Sequence, residues 1–203
     1  MKRITMGIAA LSLLLIGAGQ SKAAIVFSDN FNGETQGLTV TSLANFTVAP
    51  GNIDVIGTGF FDFYPGNGNY LDLDGTGASG GGSGTITSNM VFGPGTYILE
   101  FDLGSNSGPN DVLVSLGTYS ELFTRSQVGT VFEHIIRTVI VTSPSQLVFA
   151  TPSTDNDDQG IVIDNVLVTT PAVAVPEPAS MTLLGLGAIG FGAFARRRKT
   201  TAC

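Results

Sequence analysis

The fold is decided by residues 95–116, which read GTYILEFDLGSNSGPNDVLVSL. Apolar side chains occupy every second position in both halves of this stretch: Tyr97, Leu99, Phe101 and Leu103, then Val112, Val114 and Leu116. Successive side chains of a β-strand point to opposite faces, so this alternation places the apolar set on one buried face. The Gly, Asn and Pro residues between the halves are typical of a turn. The stretch therefore predicts two β-strands that share one core.

The same short periodicity continues on both sides of this stretch. Further strands are predicted near residues 25–28, 38–48, 52–56, 69–73, 84–92, 130–141, 145–150 and 161–168. Glycine supplies 27 of the 203 residues and charged residues only 12%, a composition that suits strands and turns better than solvated helices. About nine or ten short strands with turn signals between them indicate an all-β, antiparallel β-sandwich. This domain is predicted to span residues 24–172.

The charges are distributed unevenly along the chain. All sixteen acidic residues lie within residues 24–178, where Arg125 and Arg137 are the only basic residues. Phosphate binding needs clustered Lys and Arg, so this balance excludes nucleic acid as a partner of the domain. Cations and neutral polar ligands are favoured instead.

The first 23 residues have the pattern of a secretory signal peptide. Lys2 and Arg3 precede an apolar stretch, residues 4–18, and a small-x-small site follows at residues 21–23. The pattern predicts a signal helix that is removed by cleavage between Ala23 and Ala24.

The other end of the chain carries a second apolar segment. Residues 179–195 contain no charge and would extend about 25 Å as a helix, which is just enough to span a bilayer. A basic cluster follows at once: Arg196, Arg197, Arg198 and Lys199. The positive-inside rule predicts a transmembrane helix with this basic stop in the cytoplasm and residues 24–178 outside.

A proline-rich motif precedes that segment. It consists of Val175, Pro176, Glu177 and Pro178. Together with the apolar span and the basic stop, it resembles the PEP-CTERM protein-sorting signal over residues 174–199. The resemblance implies export across the inner membrane of a Gram-negative bacterium and processing by an exosortase within the tail, residues 173–203. The protein would be membrane-anchored at first, then at the cell surface or in the extracellular matrix of a biofilm.

Three short stretches of the middle domain resemble galactose-binding-like jelly rolls. They are YLDLDG at residues 70–75, GTYILEF at residues 95–101 and GIVIDNV at residues 160–166. The resemblance implies a jelly-roll sandwich, and the expected contacts of the exported domain are neutral extracellular polysaccharide or other matrix proteins. The chain departs from the carbohydrate-binding members of that group because it contains no Trp for a sugar platform.

Two acidic stretches are candidates for calcium. Asp164 interrupts the apolar face of a predicted strand, so it needs main-chain donors or a cation. The jelly-roll resemblance implies a structural calcium that joins the first and last strands through Asp29 or Glu34 with Asp164. Residues 155–160, DNDDQG, begin like a calcium loop, but Val166 stands where the bidentate Glu belongs, which favours a solvated turn.

The remaining candidates have simpler interpretations. Asp72 and Asp74 lie two positions apart and are predicted to face solvent from a strand. Tyr64 and Tyr70 flank a Gly-Asn loop and are candidates for the rim of a ligand site. His134, the only histidine, is interpreted as structural because a metal site needs further ligands.

These observations predict a non-enzymatic, exported surface or matrix protein with a structural or glycan-binding domain. One alternative is a carbohydrate-active enzyme that uses Asp72, Asp74 or Glu100. The other is a calcium-dependent adhesin. Calcium is the only cofactor considered.

Overall fold

The structure is a computed structural model that describes residues 23–77, 84–106, 110–125, 131–152, 158 and 160–172. Residues Ala23–Pro171 form one compact unit. Twelve strands are present in the described part: β1 Ile25–Asp29, β2 Gly37–Val40, β3 Phe46–Val48, β4 Ile53–Gly57, β5 Asn69–Asp72, β6 Thr85–Phe92, β7 Gly95–Ser105, β8 Asn110–Leu116, β9 Tyr119–Arg125, β10 Glu133–Val141, β11 Ser145–Ala150 and β12 Ile161–Thr169. No helix in this part is long and apolar enough to cross a membrane.

The strands form two antiparallel sheets. The seven-stranded sheet has the order β10-β7-β12-β5-β4-β2, with β1 also paired to β12. The five-stranded sheet has the order β3-β6-β11-β8-β9. The predicted all-β antiparallel sandwich is therefore confirmed for the described residues.

The main core lies between the two sheets. The alternating residues of β7 and β8 that predicted the fold are in it, and Leu99, Phe101 and Val112 are fully buried. The ring of Phe149 on β11 packs edge-on against Phe101 of the opposite sheet, with ring centroids 5.3 Å apart. Aromatic side chains therefore link the two layers directly.

Two strand predictions differ from the structure. The stretch 38–48 contains two strands in different sheets, because the chain crosses from β2 to β3 around the buried Leu43. Strand β9 was not predicted, since its outward residues include the exposed Leu122 and its apolar alternation is weak.

The outer face of the seven-stranded sheet is partly covered. All five residues of β4 are buried, whereas β10 at the edge of the same sheet alternates between buried and exposed residues. The cover is the connection between β4 and β5, residues 58–68. A small second core beneath it contains Ile56, Tyr64, Tyr70 and Val162. This second core positions the site described next.

Candidate functional site

Tyr64 and Tyr70 lie in the second core and do not form a ligand rim. Both side chains are buried, and their rings meet edge-on with centroids 5.8 Å apart. The Tyr70 hydroxyl accepts hydrogen bonds from the main-chain N–H groups of Phe63 and Tyr64, at 2.6 and 3.0 Å. Burial raises the pKa of Tyr70 to about 12. The predicted rim is thus wrong, because the cover and the ring of Phe132 pack against both tyrosines.

The same loop is tied to the neighbouring strand. The Tyr64 hydroxyl accepts from the main-chain N–H of Ser105 at 2.8 Å and donates to its carbonyl at 2.9 Å. Phe132 stacks on the Tyr64 ring, with a centroid distance of 4.2 Å. The cover is therefore held by both hydrogen bonds and aromatic contacts, and its outer side chains have defined positions.

A cavity of about 380 Å³ lies beside this cover, and we call it the Phe61 groove. It is lined by Leu38, Asp54, Ile56, Phe61, Phe63, Asp72, Thr76, Asn106 and Asp158. The Phe61 side chain is 57% exposed. Phe61 and Asp158 both have positive φ angles, 49° and 60°, which residues other than Gly rarely adopt and which are common at functional sites.

Asp54 anchors one wall of the groove. Its Oδ1 accepts from the main-chain N–H of Thr39 at 2.8 Å, and its Oδ2 accepts from the Thr76 hydroxyl at 2.6 Å. The main-chain N–H of Thr76 also donates to Oδ1, at 3.0 Å. Three donors therefore compensate the burial of this carboxylate.

Asp72 forms the floor of the groove. It is buried, and its Oδ1 accepts from the main-chain N–H of Asp74 at 3.0 Å, while the N–H of Gly160 also donates to it. Its Oδ2 accepts from the side-chain amide of Asn106. Burial, with the nearby charges of Asp54 and Asp74, raises the pKa of Asp72 well above its usual range. The predicted solvent-facing position of Asp72 and Asp74 is therefore wrong, because the second core and the loops close over this part of the sheet.

Asp164 lies at a point where β12 changes its neighbour. Val162 and Ile163 pair with β5, whereas Val166 and the residues after it pair with β1. Between these segments, Asn165 has a positive φ of 49° and its main-chain N–H donates to Asp164 Oδ1 at 2.7 Å. The main-chain hydrogen bonding expected for Asp164 is thus present. Burial raises the pKa of Asp164 to about 7, and the charges of Asp102 and Asp29 add to the shift.

Of the two predicted calcium partners of Asp164, Asp29 lies close enough for its charge to act on that carboxyl, whereas Glu34 is bonded elsewhere. Asp29 accepts hydrogen bonds from the main chain of Phe31 at 2.9 Å and from the Asn45 amide at 3.1 Å. Glu34 instead accepts from the main-chain N–H of Ala44 at 2.8 Å. Within the described ranges, no three His, Cys, Asp or Glu side chains are placed to hold one metal ion. Most of residues 155–160, the calcium-like stretch, lies outside the described residues.

A second cavity, of about 490 Å³, lies next to Asp164. Asp29, Asn30 and Asn165 line it. The Asn165 side-chain amide donates to Asp102 at 2.8 Å and to Asp164 at 3.3 Å. An N–H donor therefore lies between the carboxylates of Asp102 and Asp164.

We expect Asp164→Asn to stabilise the protein at neutral pH. The folded-state pKa of about 7 exceeds the ordinary value of 3.8, so the folded state binds more protons, and stability falls as pH rises between these values. One such group changes the free energy of unfolding by at most about 1.4 kcal/mol per pH unit. Thermal unfolding midpoints from pH 4.5 to 7.5 would show a shallower decline in the variant. Two results together would instead support calcium at Asp29 and Asp164. The variant would have a lower midpoint than the parent at pH 7.5, and a chelator would lower the midpoint of the parent but not that of the variant.

His134 lies further along the outer face. Its Nδ1 is 2.6 Å from Asp102 Oδ1 and its Nε2 is 3.3 Å from Glu100 Oε2. The hydrogen bond to Asp102 is the main cause that raises the pKa of His134.

The enzyme alternative named Asp72, Asp74 and Glu100 as its acidic residues. Glu100 does not line the Phe61 groove, so these three residues are not gathered in one site.

The ends of the domain meet at the predicted signal-peptide cleavage point. The Ala24 N–H donates to the Thr170 hydroxyl at 3.2 Å, and the Thr170 N–H donates to the Ala24 carbonyl at 2.9 Å. Cleavage between Ala23 and Ala24 remains a prediction. The sorting motif at residues 175–178, the span at residues 179–195 and the basic stop at residues 196–199 lie outside the described residues.

Comparison with protein families supplies the assignment of the tail. The model described as the PEP-CTERM protein-sorting motif matches residues 174–199. The chain carries a PEP-CTERM sorting motif. This motif implies an exported, exosortase-processed cell-surface protein. No curated protein matches the chain.

Several solved structures resemble the chain in overall fold. The K3 cleaved adhesin domain of Lys-gingipain from Porphyromonas gingivalis is 12% identical, with a TM-score of 0.49, and the match covers 74% of this chain and all of that one. CBM35 from Paenibacillus barcinonensis is 17% identical over 66% of this chain and all of its own, with a TM-score of 0.40. The C-terminal CBM6 of LamC from Zobellia galactanivorans is 13% identical, with a TM-score of 0.42, and the match covers 66% of this chain and 97% of that one.

Proposed function

We propose that this PEP-CTERM protein is a non-enzymatic surface or matrix protein whose jelly-roll, galactose-binding-like domain binds polysaccharide in the Phe61 groove. The sorting tail would hold it at the inner membrane until an exosortase processes it. The groove would then be presented to extracellular polysaccharide at the cell surface.

The observation that carries this proposal is the exposed ring of Phe61 beside buried polar groups. Ligand sites are mostly apolar, with a few placed polar groups that give orientation. The rings of Phe61 and Phe63 offer an apolar wall for the C–H face of a sugar, and Asp54 and Asp158 offer acceptors for hydroxyl groups. The Phe61 groove takes the ligand-binding role that was predicted for Tyr64 and Tyr70.

The groove is supported by paired strands and by hydrogen-bonded loop residues. Asp54 and Asp72 lie on paired strands, and Asn106 directly follows β7. The main-chain N–H of Asn106 donates to the Gly160 carbonyl at 3.2 Å. A site built on strands and fixed loops loses little conformational entropy on binding.

We expect Phe61→Ala to weaken glycan binding about tenfold or more, because it removes an exposed aromatic anchor worth about 1.4 kcal/mol or more. The full chain, purified in detergent, would be screened on a glycan array, and the affinity for the best ligand would then be measured. Ile140→Ala is the matched control, since it removes an equally exposed apolar side chain from edge strand β10. The thermal midpoints of both variants should equal that of the parent.

Two results would contradict the proposal. One is a glycan array with no bound ligand. The other is a Phe61→Ala variant that binds as tightly as the parent. Turnover of a bound glycan that stops on Asp72→Asn would favour the carbohydrate-active enzyme in its place.

A further inference from the structure

The polar lining of the Phe61 groove is almost entirely negative or hydrogen-bond accepting. Asp54, Asp72 and Asp158 line it, and no Lys, Arg or His is among the described residues of its lining. In the part of the chain that the structure describes, the basic side chains are engaged elsewhere. Arg137 pairs with Glu121 at 2.6 Å, and Arg125 pairs with Glu133 at 2.9 Å. Among the described residues, therefore, no protein cation balances the charge of the groove.

Asn106 adds an acceptor that has no donor. Its side chain is only 8% exposed, and its Oδ1 is buried without a hydrogen-bond partner among the described residues. Its Nδ2 already donates to Asp72, so rotating the amide would bring two oxygens together. A buried acceptor without a partner is unfavourable. A ligand that brings N–H or O–H donors to this point would remove that cost.

Asp54 and Asp72 increase the demand for a positive charge. They are directly opposed partners on β4 and β5, and both side chains point to the outer face. Like charges in directly opposed positions repel each other, and burial strengthens the repulsion. Burial is the main cause that raises the pKa of Asp72, and the charges of Asp54 and Asp74 add to the shift. A cation in the groove would stabilise both carboxylates.

The groove suits an organic cation better than a metal ion. Within the described residues, no three acidic or His side chains are arranged around one metal position. The remaining wall is apolar, with Phe61 and Phe63 on it. Aromatic faces attract ammonium groups and pack against sugar rings, whereas a hydrated divalent ion gains little from them.

We propose that the Phe61 groove selects a polysaccharide whose sugars carry a free primary ammonium group, with the ammonium bound near Asp72 and Asn106 Oδ1 and the sugar ring on Phe61. This inference rests on the proposed glycan-binding function and names the chemical class of its ligand. N-acetylation of the amine removes both the charge and two of its donors, so acetylated sugars should bind poorly. The interaction should also weaken with added salt, because it is electrostatic in part.

Calorimetric titration of the full chain tests the selection. Soluble oligomers of glucosamine, of N-acetylglucosamine and of glucose would be compared at one length and one salt concentration. We expect the glucosamine oligomer to bind at least tenfold more tightly than the other two. Asp158→Asn, at an exposed position, and Asp72→Asn, at the buried one, should each reduce this preference. Asp111→Asn on β8 changes the net charge equally outside the groove and should leave it intact.

The outcomes separate the inference from the function on which it rests. Equal affinity for the three oligomers, lost in Phe61→Ala, would overturn the ammonium selection and keep the glycan-binding site. No binding of any glycan would overturn both. Oligolysine that binds as tightly as the glucosamine oligomer would show an ammonium site without a sugar preference, and would overturn the inference. Displacement of the glucosamine oligomer by millimolar calcium, with calcium binding lost in Asp72→Asn, would show a metal site in its place.

Discussion

Phe149→Ala is expected to lower the free energy of unfolding by about 3–5 kcal/mol. Phe149 is fully buried on β11, the middle strand of the five-stranded sheet. Its ring contacts Phe101 of the opposite sheet and Phe46 of its own, at centroid distances of 5.3 and 6.5 Å. The substitution leaves a cavity between the layers that strand backbones cannot close. The free energy of unfolding of a domain is only about 5–15 kcal/mol, so the substitution would remove a large fraction of the total stability.

Urea denaturation of the full chain, followed by far-ultraviolet circular dichroism, would measure this effect. Val91→Ala is the control, because Val91 lies on β6 with an exposed side chain and should change stability by about 0.5 kcal/mol or less. A Phe149→Ala variant that loses less than about 1 kcal/mol would contradict the described packing of the two sheets.

Gly57→Ala is expected to destabilise the domain by several kcal/mol and to abolish binding in the Phe61 groove. Gly57 ends β4 with a φ of 144°, a conformation that only Gly adopts easily. A Cβ at this position would overlap the main-chain carbonyl of Gly68 and approach the Cα of Asn69 to 2.8 Å. Backbone cannot rotate away as a side chain can, so the loop over residues 58–68 must shift. Phe61 belongs to that loop and would move with it.

Gly59→Ala is a matched control for this prediction. Gly59 lies in the same loop with a φ of 84°, but a Cβ there would meet nothing within 4 Å. The Gly59→Ala variant carries the backbone strain without the overlap, so its free energy of unfolding should fall by only about 1–2 kcal/mol. Unfolding midpoints and glycan affinity would be measured for both variants. Equal effects of the two would show that the close approach of Gly57 to Gly68 is not a constraint on the loop.

The candidate site could be predicted only in part. The alternation around Asp72 correctly placed Leu71 and Leu73 in the core and Asp72 on the other face. It did not predict that this other face is itself covered. The run of Phe60, Phe61, Phe63 and Tyr64 between β4 and β5 was the available signal, since four aromatic residues in one loop indicate packing. Which of them stays exposed depends on contacts with Ser105 and Phe132, which are remote in sequence.

The sequence by itself determined the class of the fold, the sorting tail and the acidic balance of the domain. These are local properties, because strand periodicity, an apolar span with a basic stop, and charge can each be counted along the chain. Only the tertiary structure decided that Tyr64 and Tyr70 are buried, that Phe61 is exposed, and that Asp54 and Asp72 oppose each other at a groove. Period-2 alternation determines which side chains share a face of a sheet, but what covers that face depends on chain segments that meet only after folding.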